Sequence, residues 1–235
     1  MNQVRFRSIE ACVFDAYGTL LDFNSATRHA RDALGEKTDA LSEIWRQKQL
    51  QYTWLRALMR THAPFWQVTG EALDYALDAL AIGDGELRAR LMQLYLSLDA
   101  FPEVPEMLRA LKAAGIKTAI LTNGSPEMIE AGCRNAGIDG LLDAILSVEE
   151  VGVYKPDPRV YQLAVERLRV PKERIAFQSS NSWDAVGAAM FGFRVAWCNR
   201  YGQARERLPA EPDVEITSLA ELPAIVGAER AESSL

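Results

Sequence analysis

Short apolar runs that alternate with helical patterns constrain the fold of this chain most strongly. Five runs rich in Val, Ile and Leu are too short and too apolar to be half-exposed antiparallel strands. The runs predict buried parallel strands at residues 11–14, 118–121, 144–146, 175–177 and 195–197. Strands that alternate with helices in this way predict an α/β fold, in which a parallel sheet is flanked by helices.

Helix boundaries are marked by proline and glycine. Ser125 and Asp157 each precede a proline, which places a capping side chain just before the first helical position. Gly115 and Gly137 follow apolar periodic segments and predict the ends of two helices. These helices are expected to cover the sheet.

The segment between the first two predicted strands differs from the rest of the chain. It lacks a strand-like run and has apolar residues at spacings of three and four, as in Leu41, Ile44 and Trp45. We predict a small all-helical cap domain, residues 21–98, inserted into a core domain of residues 1–20 and 99–227. Such a cap emerges from the carboxyl edge of the sheet, where open α/β folds bind ligands, and is expected to cover the site. Residues 228–235 are expected to form a disordered tail.

Composition excludes several classes of function. The net charge is -6 and no Lys or Arg cluster is visible, which argues against nucleic acid or a membrane as a partner. The three cysteines are widely spaced in or beside apolar segments, as expected of reduced core thiols. A signal peptide and a membrane-spanning apolar run are not apparent. A cytoplasmic enzyme is therefore the expectation.

Asp15 is the first candidate for catalysis. It stands where the first apolar strand stops, and Gly18 and Thr19 follow in a tight loop. Its carboxylate is expected to project into the crevice, as a nucleophile requires. The alternative is an Asp that only caps a loop.

Polar groups also follow the second predicted strand and the third. Thr122 and Asn123 precede a helix start, where a hydroxyl, an amide and free backbone N–H groups favour an anion. Pro156 favours an extended backbone at Lys155, which predicts one ammonium projecting from a loop. The alternative for Lys155 is a solvated surface lysine.

The fourth predicted strand ends in Ser179, Ser180 and Asn181, and Asp184 begins the next helix. A buried strand end rarely carries such a polar group by chance, so these residues are candidates for the site. Asp184 has the alternative of a simple helix N-terminal charge.

At these residues the chain resembles the haloacid dehalogenase superfamily, which has a Rossmann-like core and a cap. The family pattern of DxxGT, a strand-end Ser or Thr, a loop Lys and an acidic strand end occurs here in order. The superfamily's phosphatases have a second Asp two residues after the nucleophile, where this chain has Tyr17. They also hold magnesium with acidic residues after the fourth strand, where only Asp184 remains. A halide leaving group needs neither a proton donor nor a metal.

The segment IWRQKQLQYTWLRALM resembles the cap helix of the L-2-haloacid dehalogenases. On a helix, Arg46, Leu50 and Thr53 share one face, which sets a guanidinium beside apolar surface. The resemblance implies that Arg46 favours a departing halide. The alternative is a solvated helix cation.

The resemblance implies a mechanism without metal or cofactor. Asp15 attacks C2 of a short L-2-haloalkanoic acid with inversion, and water hydrolyses the aspartyl ester to a 2-hydroxy acid. Lys155 keeps Asp15 ionised, and Asp184 positions Lys155 or activates water. The resemblance also implies that Asn181 and Ser179 hold the water or the acyl oxygen, and that Thr19, Thr122 and Asn123 receive the substrate carboxylate. The residues that match the family's active-site walls, or that are ordinary core residues, are Tyr17, Gln47, Leu50, Phe65, Tyr161 and Trp183.

The expected partners are the haloacid and water, and a homodimer through the cap is implied by the resemblance alone. Two rival functions stay open at this point. One is a magnesium phosphatase acting on a small phosphate ester, and the other is a non-catalytic binding protein with the same fold. The sequence leaves the preferred halogen, the length of the substrate and the natural substrate undetermined.

Overall fold

The fold was analysed in a computed structural model, which describes residues 5–228. The strands are β1 (Ala11–Phe14), β2 (Leu21–Asp22), β3 (Asp99–Ala100), β4 (Lys117–Thr122), β5 (Ala144–Ser147), β6 (Ile175–Ser179), β7 (Arg194–Cys198) and β8 (Val214–Ile216). The helices are α1 (Ser25–Arg28), α2 (Arg31–Leu34), α3 (Thr38–Met59), α4 (Phe65–Ala79), α5 (Gly85–Tyr95), α6 (Val104–Ala113), α7 (Pro126–Asn135), α8 (Pro158–Leu168), α9 (Ser182–Phe191) and α10 (Leu222–Ile225).

Six strands form one parallel sheet in the order β5-β4-β1-β6-β7-β8. All four residues of β1 are fully buried, and the strand pairs with β4 on one side and β6 on the other. Parallel strands are buried on both faces by helices, which explains their apolar sequences. The predicted α/β fold is confirmed, and each of the five predicted strands lies within an observed one.

Two strand features differ from the sequence-based expectation. β8 is a sixth, edge strand of three residues that the pattern did not predict, because it is short and only partly buried. The prediction that residues 21–98 contain no strand is wrong at the boundary, since β2 pairs antiparallel with β3. Two residues are too few to show a period of two, so sequence patterning cannot find such a pair.

The helix boundary signals are largely confirmed. Asp157 accepts a hydrogen bond from the Arg159 backbone N–H at 3.0 Å and so caps α8. Gly115 and Gly137 lie just beyond α6 and α7 with φ of +74° and +64°, the left-handed conformation that favours glycine. Ser125 stands at the start of α7 but makes no capping bond, because its hydroxyl bonds to another element.

The cap segment is helical, as predicted, and consists of α1 to α5. The chain enters the cap through β2 and leaves it through β3, and these two short strands pair antiparallel with each other. The division of the chain into two domains at residues 21 and 98 stays a prediction. Of the predicted tail, Ala228 is buried and donates to the Pro223 carbonyl, and residues 229–235 lie outside the described residues.

The core confirms the expectation for the cysteines. Cys12, Cys133 and Cys198 are all buried free thiols. Burial raises the pKa of each thiol, which keeps it protonated and unreactive. Within residues 5–228, no helix is long and apolar enough to cross a membrane.

Candidate active site

Asp15 directly follows the central strand β1 at the carboxyl edge of the sheet. Its backbone N–H donates to the Gln178 carbonyl at 2.9 Å, which continues the ladder with β6. The side chain is nearly buried and accepts a hydrogen bond on Oδ2 from the Thr19 hydroxyl at 3.1 Å. The turn needs Gly18, which has φ of +88°, and a Cβ there would stand 3.0 Å from the Ser180 hydroxyl.

A fully buried lysine joins two carboxylates behind this position. Lys155 Nζ donates to Asp15 Oδ1 at 3.1 Å and to Asp184 Oδ2 at 2.8 Å, and the Tyr161 hydroxyl donates to Asp184 Oδ1 at 2.7 Å. Burial alone would lower the pKa of Lys155, but the two carboxylates outweigh burial and raise it. The lysine is therefore a permanent cation that orients the Asp15 carboxylate.

Asp184 lies deepest in this cluster. It is fully buried in the first turn of α9, and burial raises its pKa although Lys155 acts in the opposite direction. Both of its oxygens already accept a hydrogen bond, one from Lys155 and one from Tyr161. This arrangement suits a group that positions Lys155.

Asn181 faces Asp15 from the end of β6. Its Nδ2 donates to Asp15 Oδ2 at 2.8 Å and to the Tyr17 carbonyl at 3.2 Å, and its backbone N–H donates to the Ser179 hydroxyl at 3.1 Å. Thr19 Oγ1 accepts a hydrogen bond from the Ser180 N–H at 2.9 Å. These bonds tie the loop after β1 to the loop after β6.

The cap brings a second cation to the site from α3. Arg46 Nη2 donates to Asn181 Oδ1 at 3.2 Å and to the Tyr17 carbonyl at 3.4 Å, and Nη1 donates to Gln49 Oε1 at 2.8 Å. All three acceptors are neutral, and within residues 5–228 Arg46 forms no ion pair. Gln49 is in turn held by Thr69 at 2.8 Å and by Tyr95 at 3.1 Å.

Aromatic rings close the space beside Asp15. The ring of Tyr17 lies 5.7 Å from Phe65 and 5.4 Å from Tyr95, measured between centroids. Its hydroxyl is buried and has no hydrogen-bond partner among residues 5–228, and burial raises its pKa well above the usual value. A Cβ at Gly124 would stand 2.9 Å from this hydroxyl oxygen, so the hydroxyl faces the loop after β4.

That loop carries the two predicted anion-binding residues. Thr122 Oγ1 accepts from the Gly124 N–H at 3.0 Å, and Asn123 Oδ1 accepts from the Lys155 backbone N–H at 3.1 Å. Both side chains are buried. The loop after β4 is thus bonded to the loop that carries the catalytic candidate Lys155.

The remaining predicted wall residues lie on α3, α8 and α9. Leu50 is partly buried one turn after Arg46 on α3, and Trp183 packs edge-on against Trp54 with centroids 5.3 Å apart. Tyr161 lies behind Asp184 as a hydrogen-bond donor. Gln47 is exposed and lines an outer cleft of about 730 Å³ beside Arg46.

Gln49 and Tyr95 were not predicted from the sequence. Gln49 is three residues after Arg46 on the same helix, so the spacing could have indicated it. Tyr95 reaches the site only because the folded cap brings the end of α5 against Trp45 and Gln49 of α3, which local spacing cannot show. Among the described residues 5–228, no group of three or more His, Cys, Asp and Glu side chains is arranged to hold a metal ion.

The chain is similar in sequence and in fold to several known proteins. Residues 9–192 match the family model of the haloacid dehalogenase-like hydrolases. The (S)-2-haloacid dehalogenase 1 of Pseudomonas sp. (strain CBS-3) is 47% identical over 220 residues, 93% of this chain and 96% of that protein. A dehalogenase crystal structure that is 45% identical superimposes with a TM-score of 0.92 over 94% of this chain and 98% of that one.

A further solved structure carries a bound molecule. It is the L-2-haloacid dehalogenase of Xanthobacter autotrophicus with chloropropionic acid covalently bound. That protein is 38% identical to this chain and superimposes with a TM-score of 0.86, over 92% of this chain and 97% of that one.

Proposed function

The chain belongs to the haloacid dehalogenase-like hydrolases, and on that premise we propose that it hydrolyses the carbon–halogen bond of short (S)-2-haloalkanoic acids. The products are the 2-hydroxy acid, inverted at C2, and a halide ion. One observation carries the proposal: Asp15 is held by the paired cation Lys155 and, through Asn181, faces the cation Arg46, which has no carboxylate partner among residues 5–228.

Charge explains why two cations are needed. Asp15 and Asp184 bring two negative charges against the single positive charge of Lys155, so the sheet edge alone repels an anionic substrate. Arg46 offsets the remaining negative charge on the side of the cap. Because no carboxylate among residues 5–228 pairs with Arg46, its guanidinium can also attract the haloacid and stabilise the halide as charge develops on it.

In the first step, a carboxylate oxygen of Asp15 attacks C2 and the halide leaves with the bonding electron pair. The result is an ester between Asp15 and the substrate. The relative from Xanthobacter autotrophicus has been solved with chloropropionic acid covalently bound. Thr19 and Asn181 hold Asp15 Oδ2, and Lys155 holds Oδ1, so the attacking group is oriented before substrate arrives.

In the second step, water attacks the carbonyl carbon of the ester, which returns the Asp15 carboxylate and releases the hydroxy acid and one proton. We assign the water or the acyl oxygen to Asn181 and Ser179. We assign Asp184 to the positioning of Lys155, since both of its oxygens are already occupied.

The substrate carboxylate is assigned to the loop after β4. Thr122 and Asn123 lie there with the backbone N–H groups before α7. Thr19, whose hydroxyl donates to Asp15 Oδ2, is assigned to the substrate carboxylate as well. The unpartnered hydroxyl of Tyr17 faces the same loop and is a further donor. Phe65, Leu50, Trp183 and Gln47 are assigned to the surrounding walls, and Tyr161 to the support of Asp184.

The rival functions are less well supported. A phosphatase of this superfamily needs an acid two residues after Asp15, and the buried phenol of Tyr17 has a pKa raised well above the usual value. A non-catalytic binding protein has no need of the Asp15–Lys155 contact. A cytoplasmic location stays a prediction. A homodimer through the cap also stays a prediction, and it is supported by the exposed apolar side chains of Leu58 and Met59 on α3.

Halide release tests the function. When purified protein acts on racemic 2-chloropropionate in excess EDTA, halide release is expected to stop at half-completion. The product is expected to be lactate inverted at C2. The Asp15→Asn variant should lose activity by about a thousandfold or more. The matched control is Asp157→Asn, at the half-buried N-terminus of α8, which should keep its activity. Magnesium-dependent hydrolysis of p-nitrophenyl phosphate without halide release would establish the phosphatase instead.

The ester intermediate has its own test. In a single turnover in ¹⁸O water, attack on the ester carbonyl places the label in the Asp15 carboxylate, and mass spectrometry of the peptide that contains Asp15 detects it. Label in the first equivalent of lactate would show direct attack by water on C2 and contradict the covalent mechanism.

A further inference from the structure

The turn between α3 and α4 is held against the sheet by residues that the proposed mechanism does not use. Pro64 precedes α4 and has no side chain that can cap the helix, so the first backbone N–H groups need acceptors from elsewhere. Glu149 Oε1 accepts from the Phe65 N–H at 3.1 Å, and the Ser125 hydroxyl accepts from the Trp66 N–H at 3.3 Å.

These two acceptors are themselves joined and fixed. The Ser125 hydroxyl donates to Glu149 Oε1 in a short hydrogen bond. Ser147, the last residue of β5, accepts from the Glu149 N–H at 3.2 Å and donates to the Gly124 carbonyl at 2.7 Å. A carboxylate at a helix N-terminus also interacts favourably with the positive end of the helix. The carboxyl ends of β4 and β5 thus supply a cap for a helix of another segment.

A third bond secures the same turn from the loop that carries Lys155. The Tyr154 hydroxyl donates to the Ala63 carbonyl, and the Tyr154 ring lies 4.9 Å from His62 and 6.2 Å from Phe65. The turn is therefore held by residues adjacent in sequence to Lys155 and to the proposed carboxylate-binding loop.

What this contact holds in place is Phe65. The Phe65 ring is fully buried and packs against Tyr17, two residues after Asp15. The backbone N–H of Phe65 donates to Glu149, so loss of that bond releases the start of α4, which carries the Phe65 ring against Tyr17.

Resting on the proposed function, we propose that Glu149 is a positioning residue that fixes Phe65 against Tyr17 and thereby limits the length of the haloacid side chain. Glu149 does not touch the reacting atoms. It acts through the start of α4, and its effect is on substrate selection more than on the displacement itself.

The test compares 2-chloropropionate with 2-chlorobutanoate. In Glu149→Ala, kcat/KM for the longer acid relative to the shorter should rise about fivefold or more, mainly through KM, because an extra methylene is then accommodated. Glu149→Gln keeps an oxygen that accepts from Phe65 and should restore the ratio to within about twofold of the original protein. The control is Glu150→Ala, which removes the neighbouring carboxylate that pairs with Arg167 on the surface.

A second measurement does not depend on dehalogenation. Amide hydrogen exchange of residues 61–68 should be about tenfold faster in Glu149→Ala than in the original protein, and unchanged in Glu150→Ala. An unchanged substrate ratio together with unchanged exchange would overturn the inference, even if the protein releases halide. If the amides of residues 61–68 exchange faster in Glu149→Ala but neither this variant nor the original protein releases halide from the substrate, the contact at Phe65 is supported and the proposed function is refuted.

Discussion

The sheet edge and the cap each bring one cation to Asp15, and the two cations are held in opposite ways. Lys155 is 1% exposed and is paired with two carboxylates within 3.1 Å. Arg46 is only partly buried, and its hydrogen bonds go to neutral oxygens of Asn181, Tyr17 and Gln49. A buried charge must be neutralised by the protein, whereas a charge that is to receive an anion must not be.

The sheet edge and the cap therefore have different tasks in the proposed reaction. The sheet edge holds the nucleophile in a complete ion-pair cluster before substrate binds. The cap contributes positive charge that is left for a carboxylate or a departing halide. Three substitutions test this division, in order of expected effect.

The largest effect is expected for Lys155→Met. The variant leaves Asp15 and Asp184 buried without the cation between them, and breaking a buried pair costs about 3–5 kcal/mol of the free energy of unfolding. Halide release should fall by about a thousandfold or more, since Asp15 also loses its orientation. Steady-state kinetics and thermal denaturation followed by circular dichroism measure the two effects. Near-normal activity would show that Lys155 serves only the fold.

A smaller effect is expected for Arg46→Lys. Lysine keeps the charge but cannot reach three separate acceptors as the planar guanidinium does, so kcat/KM should fall about 10- to 100-fold. Stability should change little, because Arg46 has no carboxylate partner to lose within residues 5–228. Arg56→Lys, on the same helix but paired with Glu71, is the matched control and should retain its activity. Equal losses of kcat/KM in Arg46→Lys and Arg56→Lys would show that Arg46 has no special role in binding the substrate or the halide.

The smallest effect is expected for Tyr161→Phe. The Tyr161 hydroxyl lowers the pKa of Asp184 through its hydrogen bond, although burial keeps that pKa raised overall. Without the hydroxyl the pKa of Asp184 rises further. Since Asp184 must be charged to balance Lys155, activity is present at high pH and is lost as the pH falls through this pKa.

The acid limb of the kcat/KM profile should therefore move to higher pH in Tyr161→Phe, by about one unit or less. Activity at neutral pH should fall only a few-fold. A pH–rate series from pH 4 to 9 measures the shift. An acid limb at unchanged pH would mean that Asp184 does not control it.

Much of the fold and part of the candidate site could be predicted from the sequence, because both depend on local pattern. The apolar runs 11–14 and 175–177 specify buried strands, and parallel strands necessarily end at one edge. Asp15 and the polar groups after β6 were therefore expected to lie together. The resemblance of residues 44–59 to a known cap helix indicated Arg46 in the same way.

The contacts across the chain depended on tertiary structure alone. Gln49 and Tyr95 are 46 residues apart, and Phe65 and Glu149 are 84 apart, so no local period connects them. The same limit applies to Tyr161: the family resemblance implies a wall of the site, and only the folded chain shows its hydroxyl bonded to Asp184. Sequence patterning determined which residues could reach the sheet edge. Packing of the cap against that edge decided which of them meet, because side-chain hydrogen bonds depend on distances that only the folded chain sets.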